Sequence, residues 1–261
     1  MKRILLVSLL VVLTLVASLV AHMPARFVMQ YAPMPRDLSI EGIQGTLWQG
    51  SAQHVHWQGS SLGQVQWDVH APSLLLGLAQ ANVRFGQGSE MGLRGRGLVG
   101  IGFSGAFARK TIASIPAQFA VNQLALPLPL DLEGQLELSI EHVLVSELNQ
   151  PIPVCQQGSG TLVWSGNRAV TPIAELDLGP AVVNFSCEDN FVSMKGQQQS
   201  EQVSAEFEAT VAVNDNNQFT YQSKGWFKPE AEFPSNLSAQ LKWLGNPDNQ
   251  GRYPLSFNGT L

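Results

Sequence analysis

The sequence predicts a mainly β protein, in which a single N-terminal transmembrane helix is followed by a twisted antiparallel β-sheet domain of degenerate repeats. An uncharged apolar run extends from Ile4 to Ala21. At least four later segments alternate apolar and polar residues, which is the pattern of strands with one buried face. Helical spacing is nearly absent after the first segment. We expect the sheet to close off its leucine-rich face as a rolled sheet or half-barrel.

The N-terminal apolar run has the length of a membrane-spanning helix. Lys2 and Arg3 precede the run, which starts at Ile4, passes Leu13 and ends at Ala21. About 20 apolar residues cross a bilayer as a helix, whereas a cleaved signal peptide has a shorter run and a small-residue cleavage site. The exit sequence LVAHMPARF is a poor cleavage site, so we expect a retained anchor with its N-terminus in the cytoplasm.

Changes in composition divide the chain into five parts. Residues 1–3 form a cytoplasmic tip, residues 4–21 the transmembrane anchor, and residues 22–37 a proline-containing linker that we expect to be extended. Residues 38–150 form a first β repeat and residues 151–261 a second, which continues the same sheet. The recurring tripeptide Gly-Thr-Leu, at 45–47, 160–162 and 259–261, suggests this repeat.

Four segments show the alternation most clearly. They cover 64–70, 130–140, 203–213 and 237–243, and each predicts a strand with one apolar face. Short helical turns are expected at 72–77 and at the segment beginning with Ser114, the latter with Ser114 as N-cap.

Two cysteines, Cys155 and Cys187, lie in the predicted second repeat. Beyond a bacterial inner membrane the compartment is oxidising, so a disulfide that fastens this repeat is the natural interpretation. Two buried free thiols are the alternative. Two cysteines without a nearby pair of histidines do not make a zinc site.

Composition argues against several functions. The net charge of −5 and the lack of a basic run after Arg3 argue against nucleic acid as a partner. His54, His56 and His70 lie on neighbouring predicted strands and could bind a metal, but residues on a polar face near a turn are the simpler interpretation.

Carboxylates of the predicted strand at 130–140 are the remaining candidates for catalysis. Asp131, Glu133 and Glu137 share one face of that strand, where acid–base chemistry would need a cleft that shifts their pKa values. A solvated strand face is the simpler interpretation. We therefore predict no catalytic residue, no enzymatic activity and no cofactor.

Several large apolar residues are expected to share the apolar face of the sheet. This face is either a packed core or a groove for a lipid tail or a partner peptide. Its expected members are Trp48, Trp67, Leu130, Leu136, Leu138, Phe207 and Trp243.

The order of motifs along the chain resembles the type II secretion system protein N family. After the short tip and the anchor come GIQGTLWQGSA, LGQVQWDVHAPSLLLG, LPLDLEGQLELSI, GSGTLVWSG and finally LKWLGNPDNQGRYPLSFNGTL. The resemblance covers nearly the whole chain and rests on order and spacing, since none of these motifs is a catalytic signature.

This resemblance implies an accessory subunit that crosses the inner membrane once and has the bulk of its chain in the periplasm. It would support the export of folded proteins from the periplasm across the outer membrane. Its partners would be the inner membrane and other secretion subunits. The strand repeats also resemble AsmA-type envelope proteins, which implies an alternative function as a periplasmic lipid or lipoprotein carrier.

Overall fold

The computed structural model of the protein describes residues 2–31, 37–122, 131–146, 154–170, 174–214 and 218–260. Three α-helices lie in these ranges: α1 (Lys2–Ala21), α2 (Ala25–Tyr31) and α3 (Ala117–Asn122). Within the described residues, no helix is both long and apolar enough to cross a membrane. Leu13 and Ala21 lie in α1; the backbone of Ile4 also belongs to α1, but its side chain lies outside the described part.

Strands make up most of the rest of the chain. Those of the first half are β1 (Leu38–Glu41), β2 (Gln44–Gly45), β3 (Gln49–Trp57), β4 (Ser60–Val69), β5 (Ala79–Gln87), β6 (Arg94–Gly102), β7 (Gly105–Pro116), β8 (Asp131–Leu132) and β9 (Gln135–Ser146). Those of the second half are β10 (Val154–Ser165), β11 (Arg168–Val170), β12 (Glu175–Asp177), β13 (Ala181–Glu188), β14 (Phe191–Gln199), β15 (Val203–Val213), β16 (Phe219–Pro229) and β17 (Tyr253–Thr260).

Fourteen of these strands form one antiparallel sheet, which confirms the predicted fold class in outline. The order is β1-β3-β4-β5-β6-β7-β9-β10-β13-β14-β15-β16-β17, with β2 paired to β3. The order in space follows the order in sequence, so each strand is hydrogen-bonded to the one before it along this path. Among the described residues β1 and β17 form the two edges, and the sheet does not close on itself.

The predicted strand at 130–140 is interrupted. Asp131 and Leu132 form β8, which pairs with β11 in a separate three-stranded sheet, whereas Gln135 begins β9 in the main sheet. Gly134 lies between them with a φ of 103°, a conformation that side chains disfavour and that glycine adopts freely. The prediction of one continuous strand was therefore wrong.

The predicted strand at 237–243 is also absent. Two short 3₁₀-helices, Ser235–Leu237 and Gln240–Leu244, occupy this segment. β17 pairs with β16 from Thr220 to Phe227, and the segment before β17 forms the connection between these two strands rather than a strand of its own.

The two predicted helical turns are both present, with one shift. A 3₁₀-helix covers Ala71–Leu76, which confirms the turn predicted at 72–77, and it ends at Gly77 in the left-handed conformation. The second turn is α3, which begins at Ala117; Ser114 lies in β7 and does not cap it.

Candidate functional site

One face of the main sheet is apolar from edge to edge. The pairing register places Leu138 opposite both Ala113 and Leu162, and Trp67 opposite Val83, so that one set of residues lies on one side. We call this side the apolar face. Its members, one from each strand of the path, are Ile40, Val55, Trp67, Val83, Val99, Ala113, Leu138, Leu162, Val183, Met194, Phe207, Phe227 and Leu255.

Aromatic rings on the apolar face lie directly across from glycines on the neighbouring strand. The pairs are Trp67 with Gly50, Phe85 with Gly95, Phe185 with Gly160, Phe207 with Gly196, and Tyr221 with Gly259. A Cβ atom built on any of these glycines would collide with the ring of its partner. The missing side chain thus makes room for an aromatic ring to cover the adjacent backbone.

These pairs also give a role to two glycines of the recurring tripeptide. Gly160 and Gly259 each lie beneath an aromatic ring, whereas Gly45 ends β2 with a φ of 85° and would meet the backbone of Gln49. The three copies of Gly-Thr-Leu therefore have different structural settings. The division into two repeats remains a prediction.

The apolar face is only partly covered. The largest fully buried side chain among the described residues is Val203. Phe207 retains 37% of its surface and Phe257, on the edge strand β17, retains 59%. A large apolar surface that is left open is typical of proteins that bind a partner along a sheet.

The residues expected on the apolar face are distributed as follows. Trp67, Leu136, Leu138 and Phe207 lie there together. Trp48 and Trp243 do not lie on a strand, and Leu130 falls outside the described residues.

Trp48 joins the sheet to the N-terminal helix. It lies in the bend between β2 and β3, and its indole Nε1 donates a hydrogen bond to the backbone oxygen of Val20, 2.9 Å away. The backbone N–H of Leu47 likewise donates to the oxygen of Met23 at 3.0 Å. Trp243 lies on the second 3₁₀-helix of the 235–244 segment with 88% of its surface exposed, so it contributes to a separate surface.

The cysteines form the predicted disulfide. Cys155 and Cys187 are bonded, and their Cα atoms lie 6.1 Å apart. The bond joins β10 to β13, which are neighbours in the sheet, and Cys187 is buried. The N–H of Asn190 also donates to the oxygen of Cys155 at 3.2 Å, so the disulfide holds the start of β10 against the β13–β14 turn.

The histidines and carboxylates take up polar positions. The described residues contain no group of three or more His, Cys, Asp or Glu side chains placed to hold a metal ion. His54 and His56 lie opposite Glu41 and Ser39, while His70 lies 3.0 Å from the amide nitrogen of Asn82.

The acidic candidates are separated by the break at Gly134. Asp131 belongs to the small sheet, Glu133 lies 3.8 Å from Arg168, and Glu137 lies on β9 in the main sheet. They therefore do not form the single row on one strand that the sequence suggested.

Charged pairs on the polar face shift a few pKa values. A hydrogen bond from Ser204, followed by one from Lys228, lowers the pKa of Glu230. The Ser204 Oγ lies 2.6 Å from a Glu230 oxygen, at the end of the β15–β16 hairpin. Lys195 likewise lowers the pKa of Glu208 through a 2.7 Å hydrogen bond. These groups fasten neighbouring strands.

A group of cations lies on the polar face of β5, β6 and β7 and was not predicted from the sequence. It includes Arg84, Arg94, Arg96 and Lys110, which are spread over 27 positions of the sequence and become neighbours only through strand pairing. The sequence Arg94-Gly95-Arg96 was the available signal for this group, because residues two apart on a strand point to the same side.

By its fold this is an open-sheet protein, whose extended apolar face and separate cationic area are surfaces of the kind that bind other molecules. Comparison with known proteins identifies the family. Residues 36–256 match the family described as type II secretion system (T2SS), protein N. The chain therefore belongs to the type II secretion system protein N family.

Full-length relatives carry the same name. The type II secretion system protein N of Vibrio cholerae is 45% identical over 261 residues, which is 100% of both chains. That of Aeromonas hydrophila is 33% identical over 100% of both chains, and that of Pectobacterium carotovorum is 24% identical over 93% of this chain and 92% of the relative. No solved structure matches the chain. These relatives give no support to the AsmA-type alternative.

Proposed function

We propose that this chain is an accessory, non-enzymatic subunit of the type II secretion system. It is anchored in the inner membrane by α1, and its sheet lies in the periplasm, where it supports the export of folded proteins. The observation that carries the proposal is the single sheet whose apolar face runs unbroken from β1 to β17. Such a surface suits an assembly subunit that binds other proteins, and family membership indicates which assembly.

The character of α1 supports membrane anchoring. Its described side chains are uncharged and mostly apolar, and Leu13, Leu15 and Leu19 are each exposed by 60% or more. A helix that is apolar all round is stable where lipid or protein covers it. Lys2 and Arg3 at its start favour a cytoplasmic N-terminus.

The link through Trp48 supports a fixed position of the sheet relative to the membrane. Because the hydrogen bonds to Val20 and Met23 follow directly after α1, the β2–β3 end of the sheet would face the bilayer. The apolar face would then extend away from this end into the periplasm.

Deletion and complementation test the proposal. In a bacterium that encodes this chain, we expect deletion of its gene to reduce the export of folded cargo through the outer membrane. Full-length protein supplied in trans should restore export, and a frameshifted copy serves as the control. Unchanged export after deletion would contradict a role in secretion.

Two measurements test the anchoring. Mass spectrometry of the purified protein should find the intact N-terminus, and a chain that starts near Met23 would show that the helix is removed. Alkaline phosphatase fused after Thr260 should be active, because the enzyme folds in the periplasm. The same fusion to a copy without Lys2–Ala21 is the control and should be inactive.

A further inference from the structure

Five cations cluster on the polar face of three consecutive strands. Arg84 lies on β5, Arg94 and Arg96 on β6, and Arg109 and Lys110 on β7. We call this group the basic cluster. It holds five of the 15 Lys and Arg residues of a chain whose net charge is −5, so the charge is strongly concentrated.

The cluster contains an unfavourable arrangement. Arg84 and Arg96 are directly opposite each other in the register of β5 and β6, where like charges repel. No ion pair joins any of the five cations to a carboxylate within the described ranges. Asp68 lies opposite Asn82, diagonal to Arg84. Glu141 lies across from Lys110, between the partners of Arg109 and Thr111, but neither arginine of the Arg84–Arg96 pair has a carboxylate opposite it.

Space for a ligand lies beside the paired arginines. A cavity of about 740 Å³ is lined by Arg84, Arg96 and Lys110 together with Gln66 and Asp68. A second cavity, of about 680 Å³, is lined by Arg84, Arg94 and Arg96. The two guanidinium groups therefore stand between two depressions in the surface, within reach of a bound chain on either side.

The backbone at Lys110 is strained. Its φ of 47° is in the left-handed region, and the register between β6 and β7 shifts between Arg96 and Leu98. A bulge of this kind redirects a side chain and is common beside functional sites. Here it places Lys110 on the same cavity as Arg84 and Arg96, as its third cation.

The composition of the cluster indicates what kind of anion it binds. Four of its five cations are arginines, whose planar guanidinium groups pair with carboxylates through two parallel hydrogen bonds. Apolar side chains lie among them: Ile112 is opposite Arg96, and Leu98 is opposite Arg109. Arginine mixed with apolar residues is typical of protein–protein interfaces.

We propose that the basic cluster is a docking site for an acidic segment of another protein of the secretion system, whose Asp or Glu carboxylates pair with Arg84 and Arg96. The search for the partner among secretion subunits rests on the proposed function. A bound acidic segment relieves the repulsion between the two arginines, which the free protein leaves uncompensated. Specificity for the partner then comes from the positive charge of the basic cluster rather than from contacts with the apolar face.

Photocrosslinking in intact cells tests this docking site. The photoreactive residue p-benzoylphenylalanine replaces Ile112 in the full-length chain, expressed in the secreting strain. We expect a crosslink to a secretion subunit, within a peptide rich in Asp and Glu when it is mapped by mass spectrometry. Arg84→Glu should lower the yield by at least about tenfold, because it places a like charge against the partner.

A matched control separates this effect from net charge and from misfolding. Lys242→Glu makes the same change in net charge far along the chain and should leave the crosslink unchanged. Arg84→Glu should remain folded, since it replaces a repulsive pair by an attractive one. Changing two carboxylates of the mapped peptide to Lys should restore the crosslink to the Arg84→Glu chain.

Other outcomes would overturn the proposal. These are a crosslink to phospholipid, a crosslink to a peptide without an acidic excess, a yield that Arg84→Glu does not change, or no crosslink at all. Failure of the proposed function gives a different result, because gene deletion would then leave export unchanged whatever the crosslink shows.

Discussion

The indole of Trp48 donates a hydrogen bond to the backbone oxygen of Val20 across 28 positions of sequence. This contact and the hydrogen bond from Leu47 to Met23 join the end of α1 to the first hairpin of the sheet. The helix and the sheet therefore meet at a defined junction rather than through a free linker.

Trp48→Phe tests this junction. The change removes the donor and keeps an aromatic ring, which should cost about 0.5–1.5 kcal/mol of local stability. Hydrogen–deuterium exchange of the full chain in detergent should then show the amide of Leu47 exchanging about two- to tenfold faster. Trp57→Phe is the control, since Trp57 lies at the far end of β3; equal acceleration in both variants would contradict a specific role for Trp48.

The glycines beneath aromatic rings should not tolerate even a methyl group. Gly196→Ala puts a Cβ against the ring of Phe207, and overpacking of this kind costs about 1–3 kcal/mol. Urea denaturation of the purified protein measures the change. Ser193→Ala, on the opposite side of the same strand, should stay within about 0.5 kcal/mol of the wild type. An equally small change in the free energy of unfolding for both variants would show that the Phe207 ring moves aside freely.

Arg84→Glu should stabilise the protein. It converts the repulsive Arg84–Arg96 pair into an attractive cross-strand pair, which should raise the free energy of unfolding by up to about 1 kcal/mol. Lys224→Glu should have the opposite effect, because Lys224 lies opposite Glu208. Both effects should shrink in high salt, since exposed charges are screened. A loss of stability in Arg84→Glu at low salt would mean that the arginines are compensated within the chain.

Removal of the disulfide should reduce stability without abolishing export. Closing the loop between Cys155 and Cys187, with a sequence separation of 32, contributes about 3–4 kcal/mol in the chain-entropy model. The double variant Cys155→Ser, Cys187→Ser should unfold at a lower denaturant concentration, as should the reduced wild type. Because the bond joins adjacent strands away from the basic cluster, the folded variant should still complement a deletion. Lost export at normal protein levels would assign the cysteines a further role.

The Ser204–Glu230 hydrogen bond should make the free energy of unfolding depend on pH. It holds the pKa of Glu230 below the ordinary 4.5, so its contribution is present above that value and is lost as pH falls through the lower folded-state pKa. Ser204→Ala should raise the pKa of Glu230. The stability difference from wild type should therefore be largest at neutral pH and smallest in acid, as measured by denaturation at both. Ser256→Ala is the control, and a difference independent of pH would exclude the linkage.

The alternation of apolar and polar residues predicted many of the strands. The segments that it predicted wrongly are explained by how the strands pair in the sheet. Alternation at 203–213 identified β15 because one face of that strand is apolar throughout. The same alternation at 237–243 failed, because this segment forms the connection between β16 and β17 as two 3₁₀-helices. At Gly134 the sequence held a usable signal, because a glycine inside an alternating run often marks a break.

Whether the site residues could be predicted depended even more on the register between strands. Phe207 and Gly196 are 11 positions apart, and Arg84 and Arg96 are 12 apart; each pair becomes opposite only when two strands align. Sequence periodicity fixes which side a residue faces but not which residue lies across from it. The apolar face was therefore predictable, whereas the glycine–aromatic pairs and the basic cluster were not. The disulfide was predictable because only two cysteines are available to pair.

The agreement between strand order and chain order bears on how the protein is made. A chain synthesised from its N-terminus presents β3 before β4, β4 before β5, and so on to β17. Each arriving strand then has an edge already in place to pair with, so assembly requires few long loop closures. The bond from Cys155 to Cys187 likewise links two strands that arrive in succession along the path. The sheet can therefore grow strand by strand at one edge, while β1 forms the other edge from the start.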